Sequence, residues 1–220
     1  MGRVRGFYAS MVGKKVVMGV TGLIGVGFVV LHSLGNLLVF RGPGAINAYS
    51  HFLKSTGELL WALRVVLILS VVLHVVAAVQ LTRQSRAARP VGYAKRENQV
   101  ATVASRTMRW GGALLLVFIV VHILHFTTGT IRPAGGFSST DVYANVVTSF
   151  RIWWVALFYV ISMIALGLHL FHGAWSSVRS IGVSRPSPQP LHRRISLALA
   201  VLVWAAFTAI PVAVFTGLVR

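Results

Sequence analysis

Four histidines lie within four separate long apolar stretches of the chain, one in each: His32, His74, His122 and His169. An ionisable residue is costly inside a membrane helix and usually marks a function. A neutral imidazole nitrogen is a good axial ligand for haem iron. Four such residues therefore predict two sites, each with two histidines holding one haem from opposite faces. Such a site leaves no open position on the iron, which favours electron transfer over oxygen binding.

The elements that must position these histidines are membrane helices. The chain is 56% hydrophobic and only 11% charged, with a mean hydropathy of +0.77, whereas soluble domains are about 25% charged. A spanning helix needs about 20 apolar residues and satisfies its own backbone groups in lipid. We therefore predict an all-α integral membrane bundle of five transmembrane helices in a single domain, 1–220. The helices are expected at about 16–40, 60–83, 108–131, 152–178 and 195–218, where charge-free runs lie.

The basic residues predict the orientation of this bundle. Most of the 21 Lys and Arg residues fall in three regions, 3–15, 83–109 and 179–194. Because cytoplasmic loops carry an excess of Lys and Arg, we expect the N-terminus in the cytoplasm and the C-terminus outside. The net charge of +18 is then confined to one membrane face. That distribution favours contact with anionic lipids and docking of a cytoplasmic partner over nucleic-acid binding.

The depth of each histidine predicts which ones pair. At about 1.5 Å per residue, His32 and His122 lie about 24 Å and about 18 Å from the cytoplasmic ends of their helices, in the outer half. On the same scale His74 and His169 lie about 13 Å and about 15 Å from those ends, in the inner half. Two pairs at two levels are what two stacked haems require. The absence of cysteine excludes iron–sulfur ligation and covalent haem attachment by this chain.

Two further histidines lie one helical turn beyond a candidate ligand. His125 follows His122, and His172 follows His169, in each case on nearly the same helix face. Depth alone excludes neither of them as a ligand. Their alternative role is to donate a hydrogen bond to a haem propionate or to a quinone.

Small residues near three of the four candidate ligands are consistent with a slot for a porphyrin. The alternative is ordinary close packing, since small residues are favoured wherever membrane helices meet. The residues concerned are Gly25, Gly35, Ala77, Ala78, Ala165 and Gly173.

Several motifs in a fixed order carry a resemblance to a known family. They are KVVMGVTGL at 15–23, HSLGN at 32–36, NAYSHF at 47–52, LH at 73–74, VH at 121–122 and HLFHGAWS at 169–176, followed by the basic stretch 179–194. Over nearly its whole length the chain resembles the dihaem cytochrome b membrane anchor of succinate:quinone oxidoreductase (succinate dehydrogenase). The resemblance is to the single-polypeptide, five-helix type found in many bacteria.

The resemblance implies two haems b and assigns their iron ligands. His32 and His122 would hold the outer haem, and His74 and His169 the inner one. The remaining histidines of helices 3 and 4 would then lie beside the haems rather than on the iron. This pairing of helices agrees with the pairing by depth.

The resemblance also implies partners and a reaction. A flavoprotein and an iron–sulfur subunit, carrying covalent FAD and the iron–sulfur clusters, would dock on the cytoplasmic face and oxidise succinate to fumarate. This chain would pass the electrons through its haems to a membrane quinone, with menaquinone expected, and would perform no succinate chemistry itself. It would be a multi-pass protein of the bacterial plasma membrane, part of a respiratory complex II that can oligomerise.

Polar and aromatic residues near the helix ends are candidates for quinone contact, although each also fits the role of an interfacial anchor. Relatives that use menaquinone often carry an acid shortly after the aromatic residue of the first outer loop. This chain has Lys54 there, and its nearest acid is Glu58. The candidates are Tyr49, His51, Lys54 and Glu58 on the outer side, and Arg106, Arg109, Trp175 and Arg179 on the inner side.

Two other functions remain open from the sequence. One is the cytochrome b anchor of a hydrogenase or a formate dehydrogenase. The other, in a different class, is a proton-coupled transporter that uses the histidines as a relay. The predicted helices contain no acid and show no inverted repeat, and both features weigh against transport.

Overall fold

Every regular element is helical in the residues described by the structure, a computed structural model: 2–88, 102–182 and 191–220. A 3₁₀ turn (Leu37–Arg41) continues α2, and a π-helical turn (Ile123–Thr127) continues α5. The α-helices are α1 (Gly2–Ala9), α2 (Met11–Asn36), α3 (Pro43–Ser55), α4 (Glu58–Ala87), α5 (Val103–His122), α6 (Val142–Phe150), α7 (Trp153–Ser180) and α8 (Leu191–Phe215).

Five of the helices are long and apolar enough to cross a membrane. They are α2, α4, α5, α7 and α8, counting the 3₁₀ and π-helical turns with the helices they continue. Each has 25 to 31 residues and contains an 18-residue stretch with a mean hydropathy between 2.0 and 2.6, and about 20 residues suffice to span the apolar core of a bilayer. The prediction of an all-α protein with five transmembrane segments is confirmed at this level of length and composition.

The spanning helices extend further toward one end than the charge-free runs predicted. α2 and α5 begin at Met11 and Val103, and α4 continues to Ala87. Lysines and arginines lie within these extra turns without ending the helices. The exposed ones, such as Lys15, Arg83 and Arg106, can carry their charge out to the interface on long stems, whereas the buried Lys14 donates to the Ala9 carbonyl. The hydroxyls of Ser10 and Thr102 cap α2 and α5 by accepting a backbone N–H three residues later, which typically contributes about 1 kcal/mol.

The opposite ends depart from the predicted bounds in different ways. α4 begins early at Glu58, α2 changes to the 3₁₀ turn after Asn36, and α5 with its π-helical turn ends at Thr127, before the predicted end at 131. A glycine follows each of the last two. Gly42, with φ +88°, separates the 3₁₀ turn from α3, and Gly129, with φ +65°, follows the π-helical turn. A positive φ is strained for residues with a side chain and open to glycine. A methyl group at Gly129 would also meet the Phe137 ring at 2.4 Å. The charge-free runs therefore mark the apolar thickness of the bundle and not the helix ends.

Four of the spanning helices form a ring that is open on one side. α2 packs against α4 and α7, and α7 packs against α5. α4 and α5 make hardly any backbone contact, so the ring stays open between them. α8 packs outside the ring against α7 and α2. The two diagonals across the ring are α2 to α5 and α4 to α7.

The two ends of the bundle differ in character. We call the basic end the one formed by the starts of α2, α5 and α8 and by the ends of α4 and α7. At the other end, the α3/α6 end, α3 packs against α6, and α6 packs against α7 and α8. The larger hydrophobic core lies there and includes Val39, Phe150, Tyr159 and Val214. The α3/α6 end is thus closed by protein.

Part of the predicted basic face lies outside the described residues. The residues concerned belong to the connections from α4 to α5 and from α7 to α8: Arg89, Lys95, Arg96 and Arg185.

Candidate functional site

Four histidines of the apolar helices, His32, His74, His122 and His169, form two pairs inside the ring. His32 on α2 faces His122 on α5, with 5.9 Å between the ring centres. His74 on α4 faces His169 on α7, with 6.1 Å between the ring centres. Each pair spans one diagonal of the ring, between helices whose backbones do not pack on each other. The structure thus brings together the same pairs that depth and resemblance indicate.

Both separations suit two imidazoles that share one metal ion. A metal–nitrogen bond of about 2 Å on each side, plus about 1 Å from each nitrogen to its ring centre, puts the two ring centres about 6 Å apart. Direct van der Waals packing of two rings places their centres at about 4.5–7 Å, so distance alone does not select a metal. The placement of a histidine pair on each diagonal of the helix ring supports a shared metal ion more strongly than the distances do.

A hydrogen bond fixes the orientation of His74. Its Nδ1 lies 3.0 Å from the carbonyl oxygen of Met18 and 3.4 Å from the hydroxyl of Thr21, both on α2. Donation from Nδ1 to that carbonyl leaves Nε2 with a free lone pair, the usual arrangement of a metal-binding histidine. The ring lies against Gly22, where a methyl group would be 3.2 Å from Cε1 of His74. Gly22 therefore lets the ring approach α2 closely.

His169 has a different environment. Its Nδ1 is buried and has no hydrogen-bond partner in the described part of the chain. An unsatisfied polar atom in apolar surroundings is unfavourable, and a bound group that engages this ring would reduce that cost. Gly112 on α5 faces the ring at a distance that a methyl group would tolerate, 3.6 Å from Cε1.

An apolar cleft leads from the outer surface of the helix ring to the side chain of His169. It lies between α5 and α7 and has a volume of about 300 Å³. Its wall includes Gly111 and Ala165, and its rim includes Trp110, which is 83% exposed. The other residues that line it are Thr107, Met108, Leu114, Ile161, Ile164 and Leu168.

Aromatic rings hold His32 from two helices. Phe28, one turn earlier on α2, stacks on its ring at 5.1 Å, and Phe207 of α8 lies at 5.7 Å. The amide of Asn36 donates to the His32 carbonyl at 2.7 Å. Phe207 shows that α8 contributes to this pair, although it carries none of the four histidines. Sequence reasoning missed this contribution; an aromatic residue one turn before Pro211, which interrupts the helix hydrogen bonding, was an available signal.

The π-helical turn separates His125 from His122. In a regular α-helix the two rings would lie on nearly the same face, as the sequence predicted. The wider turn, closed by a bond from the Thr128 N–H to the Ile123 carbonyl, rotates less per residue and directs His125 toward α6 and α7. Such π-turns are frequent at functional sites.

His125 is only 4% exposed, and both of its ring nitrogens have partners. Its Nδ1 lies 3.1 Å from the hydroxyl of Tyr159, and its Nε2 lies 2.9 Å from the hydroxyl of Ser149. The Tyr159 hydroxyl also lies 3.5 Å from Nδ1 of His122. Sequence reasoning missed Tyr159, although a tyrosine within an apolar helix signals that its hydroxyl needs a partner.

The small residues singled out in the sequence have two kinds of surroundings, open space as in a porphyrin slot and ordinary close packing. A methyl group at Gly25 or Gly173 would meet no atom within 4 Å, so these two positions border open space, as a slot requires. Gly35 instead packs against Tyr49, where a methyl group would lie 2.5 Å from the ring. The glycines that touch candidate ligands are Gly22 and Gly112, which sequence reasoning did not select.

The candidates for quinone contact at the α3/α6 end lie in different surroundings. Tyr49 packs on α2, and Lys54 donates a hydrogen bond across to the Ser139 carbonyl. His51 is exposed on α3, and Glu58 is exposed at the start of α4. A cleft of about 280 Å³ lies nearby, but it is lined by other residues, between 134 and 148.

At the basic end, Trp175 lies between two guanidinium groups. Those of Arg179 and Arg193 are 5.4 Å and 5.3 Å from its ring centre. Its indole Nε1 is buried without a hydrogen-bond partner among the described residues. His172 makes an edge contact with the same ring at 6.0 Å. The other two candidates of this end, Arg106 and Arg109, are exposed on α5.

No three His, Asp or Glu side chains gather as a metal site within 2–88, 102–182 and 191–220. Each described histidine pair offers two imidazole nitrogens to a metal. No protein-family model matches the chain, and no curated protein and no solved structure matches it.

Proposed function

We propose that this chain is the dihaem cytochrome b membrane anchor of a bacterial succinate:quinone oxidoreductase. In this role it holds two haems b, one between His32 and His122 and one between His74 and His169. It conveys electrons from a docked iron–sulfur subunit to a membrane quinone, menaquinone being expected. The haems supply one-electron carriers at two depths, while the protein supplies binding, orientation and electrostatics.

The observation that carries the proposal is the pair of facing imidazoles on each diagonal of the helix ring. Separations of 5.9 Å and 6.1 Å fit two rings on one iron. The diagonal helices do not pack on each other, which leaves room for a planar group. The buried, unpartnered Nδ1 of His169 is a further sign that the described side chains do not complete this site.

Two of the candidate ligands are held by specific contacts. His74 is oriented by the Met18 carbonyl, and His32 is packed between Phe28 and Phe207. The four rings are only partly exposed and lie on apolar helices, and a neutral imidazole keeps the lone pair that binds iron. The absence of an open ligand position in this arrangement suits electron transfer.

The basic end supports the proposed orientation and partners. Exposed cations at this end include Lys15, Arg83, Arg86, Arg106, Arg109 and Arg179. A cytoplasmic location of these cations satisfies the positive-inside rule, and the C-terminus is then outside. The same cations offer a surface to anionic lipids and to the iron–sulfur subunit. The pair nearer this end, His74 and His169, would then be the first to accept electrons.

The decisive experiment is purification of the complex through a tag on this chain. We expect two low-spin haems b per chain by haem quantification, with a flavoprotein and an iron–sulfur subunit of succinate dehydrogenase in the same fraction. If subunits of a hydrogenase or a formate dehydrogenase co-purified instead, the chain would be the haem-binding anchor of that respiratory complex. A well-folded chain with fewer than two haems would refute the proposal. A well-folded chain without any haem would favour the alternative function, a proton-coupled transporter with a histidine relay.

A further inference from the structure

A chain of polar contacts runs from His122 to α6 through the α3/α6 core. It comprises the His122 ring, the Tyr159 hydroxyl, the His125 ring and the Ser149 hydroxyl, with separations of 3.5 Å, 3.1 Å and 2.9 Å in that order. Tyr159, His125 and Ser149 are 6%, 4% and 5% exposed, so water does not compete for these contacts. None of these three residues is needed to account for the candidate ligand pairs.

From this geometry we infer that Tyr159 and His125 are positioning residues that hold His122 in the tautomer able to bind iron. The inference rests on the proposed function and concerns the outer haem, the one between His32 and His122. It assigns a role to three buried polar side chains and explains why a second histidine follows one turn after a ligand.

The protons in this chain of contacts have one consistent order if His122 binds iron through Nε2. Nδ1 of His122 then carries the hydrogen and donates to the Tyr159 oxygen. The Tyr159 hydroxyl, having one proton of its own, donates to Nδ1 of His125. His125 is then protonated at Nε2 and donates to the Ser149 hydroxyl. In this order Tyr159 and His125 each give one hydrogen bond and accept one, and both ring nitrogens of His125 are used.

The opposite order is incompatible with ligation. If Tyr159 donated to His122, Nδ1 of His122 would be an acceptor and the proton of the neutral ring would reside on Nε2, where it would block the iron. The position of the Tyr159 hydroxyl between two imidazoles therefore couples the tautomer of His125 to that of His122.

The surrounding rings restrict Tyr159 to this position. Phe118, Phe126 and Phe150 contact its ring at 5.2 Å, 5.7 Å and 4.9 Å, each nearly edge-on. Because the hydroxyl cannot move far, we expect it to act through orientation and electron donation. A hydrogen bond from Nδ1 makes an imidazole a stronger donor to the metal and stabilises the oxidised iron.

The test is Tyr159→Phe in the whole complex, with the reduction potentials of both haems and the low-spin electron paramagnetic resonance signals as readouts. We expect the potential of the outer haem to rise, with the ratio of reduced to oxidised haem changing up to about tenfold, or about 59 mV for one electron. The inner haem should be unchanged and serves as the internal reference. Ser149→Ala, at the far end of the chain, should shift the outer haem in the same direction by less.

Tyr143→Phe is the matched control. It removes one tyrosine hydroxyl at the same end of the bundle, which donates to the Arg220 carbonyl at 2.8 Å and touches no histidine; both potentials should stay at wild-type values. Loss of the outer haem alone in Tyr159→Phe would also support the inference. Unchanged potentials and signals, a fall in the outer potential, or equal effects on both haems would overturn it. A wild-type complex without haem would instead refute the proposed function.

Discussion

If the proposed inner haem is held between His74 and His169, Gly22→Ala should weaken its binding by steric contact alone. The added methyl group would lie 3.2 Å from Cε1 of His74 and 3.4 Å from Nδ1, which is closer than side chains ordinarily pack. The ring must then retreat by a few tenths of an ångström. The ring cannot do so freely, because its Nδ1 is hydrogen-bonded at 3.0 Å to the carbonyl of Met18, which lies on α2 together with Gly22.

Metal–ligand distances tolerate deviations of about 0.2 Å, so this retreat is large enough to matter. Changes beside a metal ligand typically reduce metal affinity by 10- to 100-fold, or about 1.4–2.8 kcal/mol. We expect a loss in this range for the haem between His74 and His169. Alanine favours a helix over glycine by roughly 0.5–1 kcal/mol, so a weakened α2 would not be the cause.

The assay is haem stoichiometry together with the rate at which each haem is lost to excess apomyoglobin. Gly112→Ala is the matched control, because its methyl group would lie at an ordinary 3.6 Å from Cε1 of His169. We expect faster loss of one haem in Gly22→Ala and wild-type behaviour in Gly112→Ala. Equal retention of both haems in the two variants would show that His74 is not held against α2 as a ligand.

Three further predictions address other parts of the molecule. His125→Ala should retain both haems in quantification of the purified chain, whereas His122→Ala should lose one; the reverse result would mean that the ligand on α5 is misassigned. Hydrogen bonds, chiefly from the Ala144 N–H and then from the Asn47 amide, lower the pKa of Asp141 below its usual value of 3.8. A lowered pKa means that its stabilising effect is complete above about pH 4 and is lost as the pH falls through the folded value. The melting temperature should therefore drop less between pH 5 and pH 3 in Asp141→Asn than in the wild type, and equal drops would contradict this. Arg106→Gln, Arg109→Gln and Arg179→Gln together should reduce co-purification of the soluble subunits, more so at high salt because exposed charges are screened; an unchanged yield would move the docking surface elsewhere.

Much of the architecture could be predicted because a membrane restricts what a chain can do. Long charge-free runs must be helices in lipid, and the five runs correspond to the five spanning helices. The facing of His32 with His122, and of His74 with His169, followed from depth because helical rise is nearly constant. Helix ends were not predictable in this way, since Lys14 and Arg106 remain helical while apolar segments at the other end turn at glycines.

Details that depend on packing between helices were not accessible from the sequence. The sequence predicts only a loop between the first two spanning helices, whereas the structure has the helix α3 there, with His51 on it. Pro43 after a glycine is a common helix start and was an available signal. The role of Gly22 depends on which face of α2 meets α4, and the sequence does not specify this rotation. The separation of His125 from His122 depends on a single π-turn, which has no reliable sequence signature.

The two diagonals of the ring have a consequence for how the protein is made. In a chain that takes up haem during insertion, the His32–His122 site is complete once the third spanning helix has entered the membrane, whereas the His74–His169 site must wait for the fourth. Until then α4 is attached mainly through α2. Biogenesis would thus load the site farther from the basic end first, and haem shortage would leave α4 as the segment most exposed to membrane proteases.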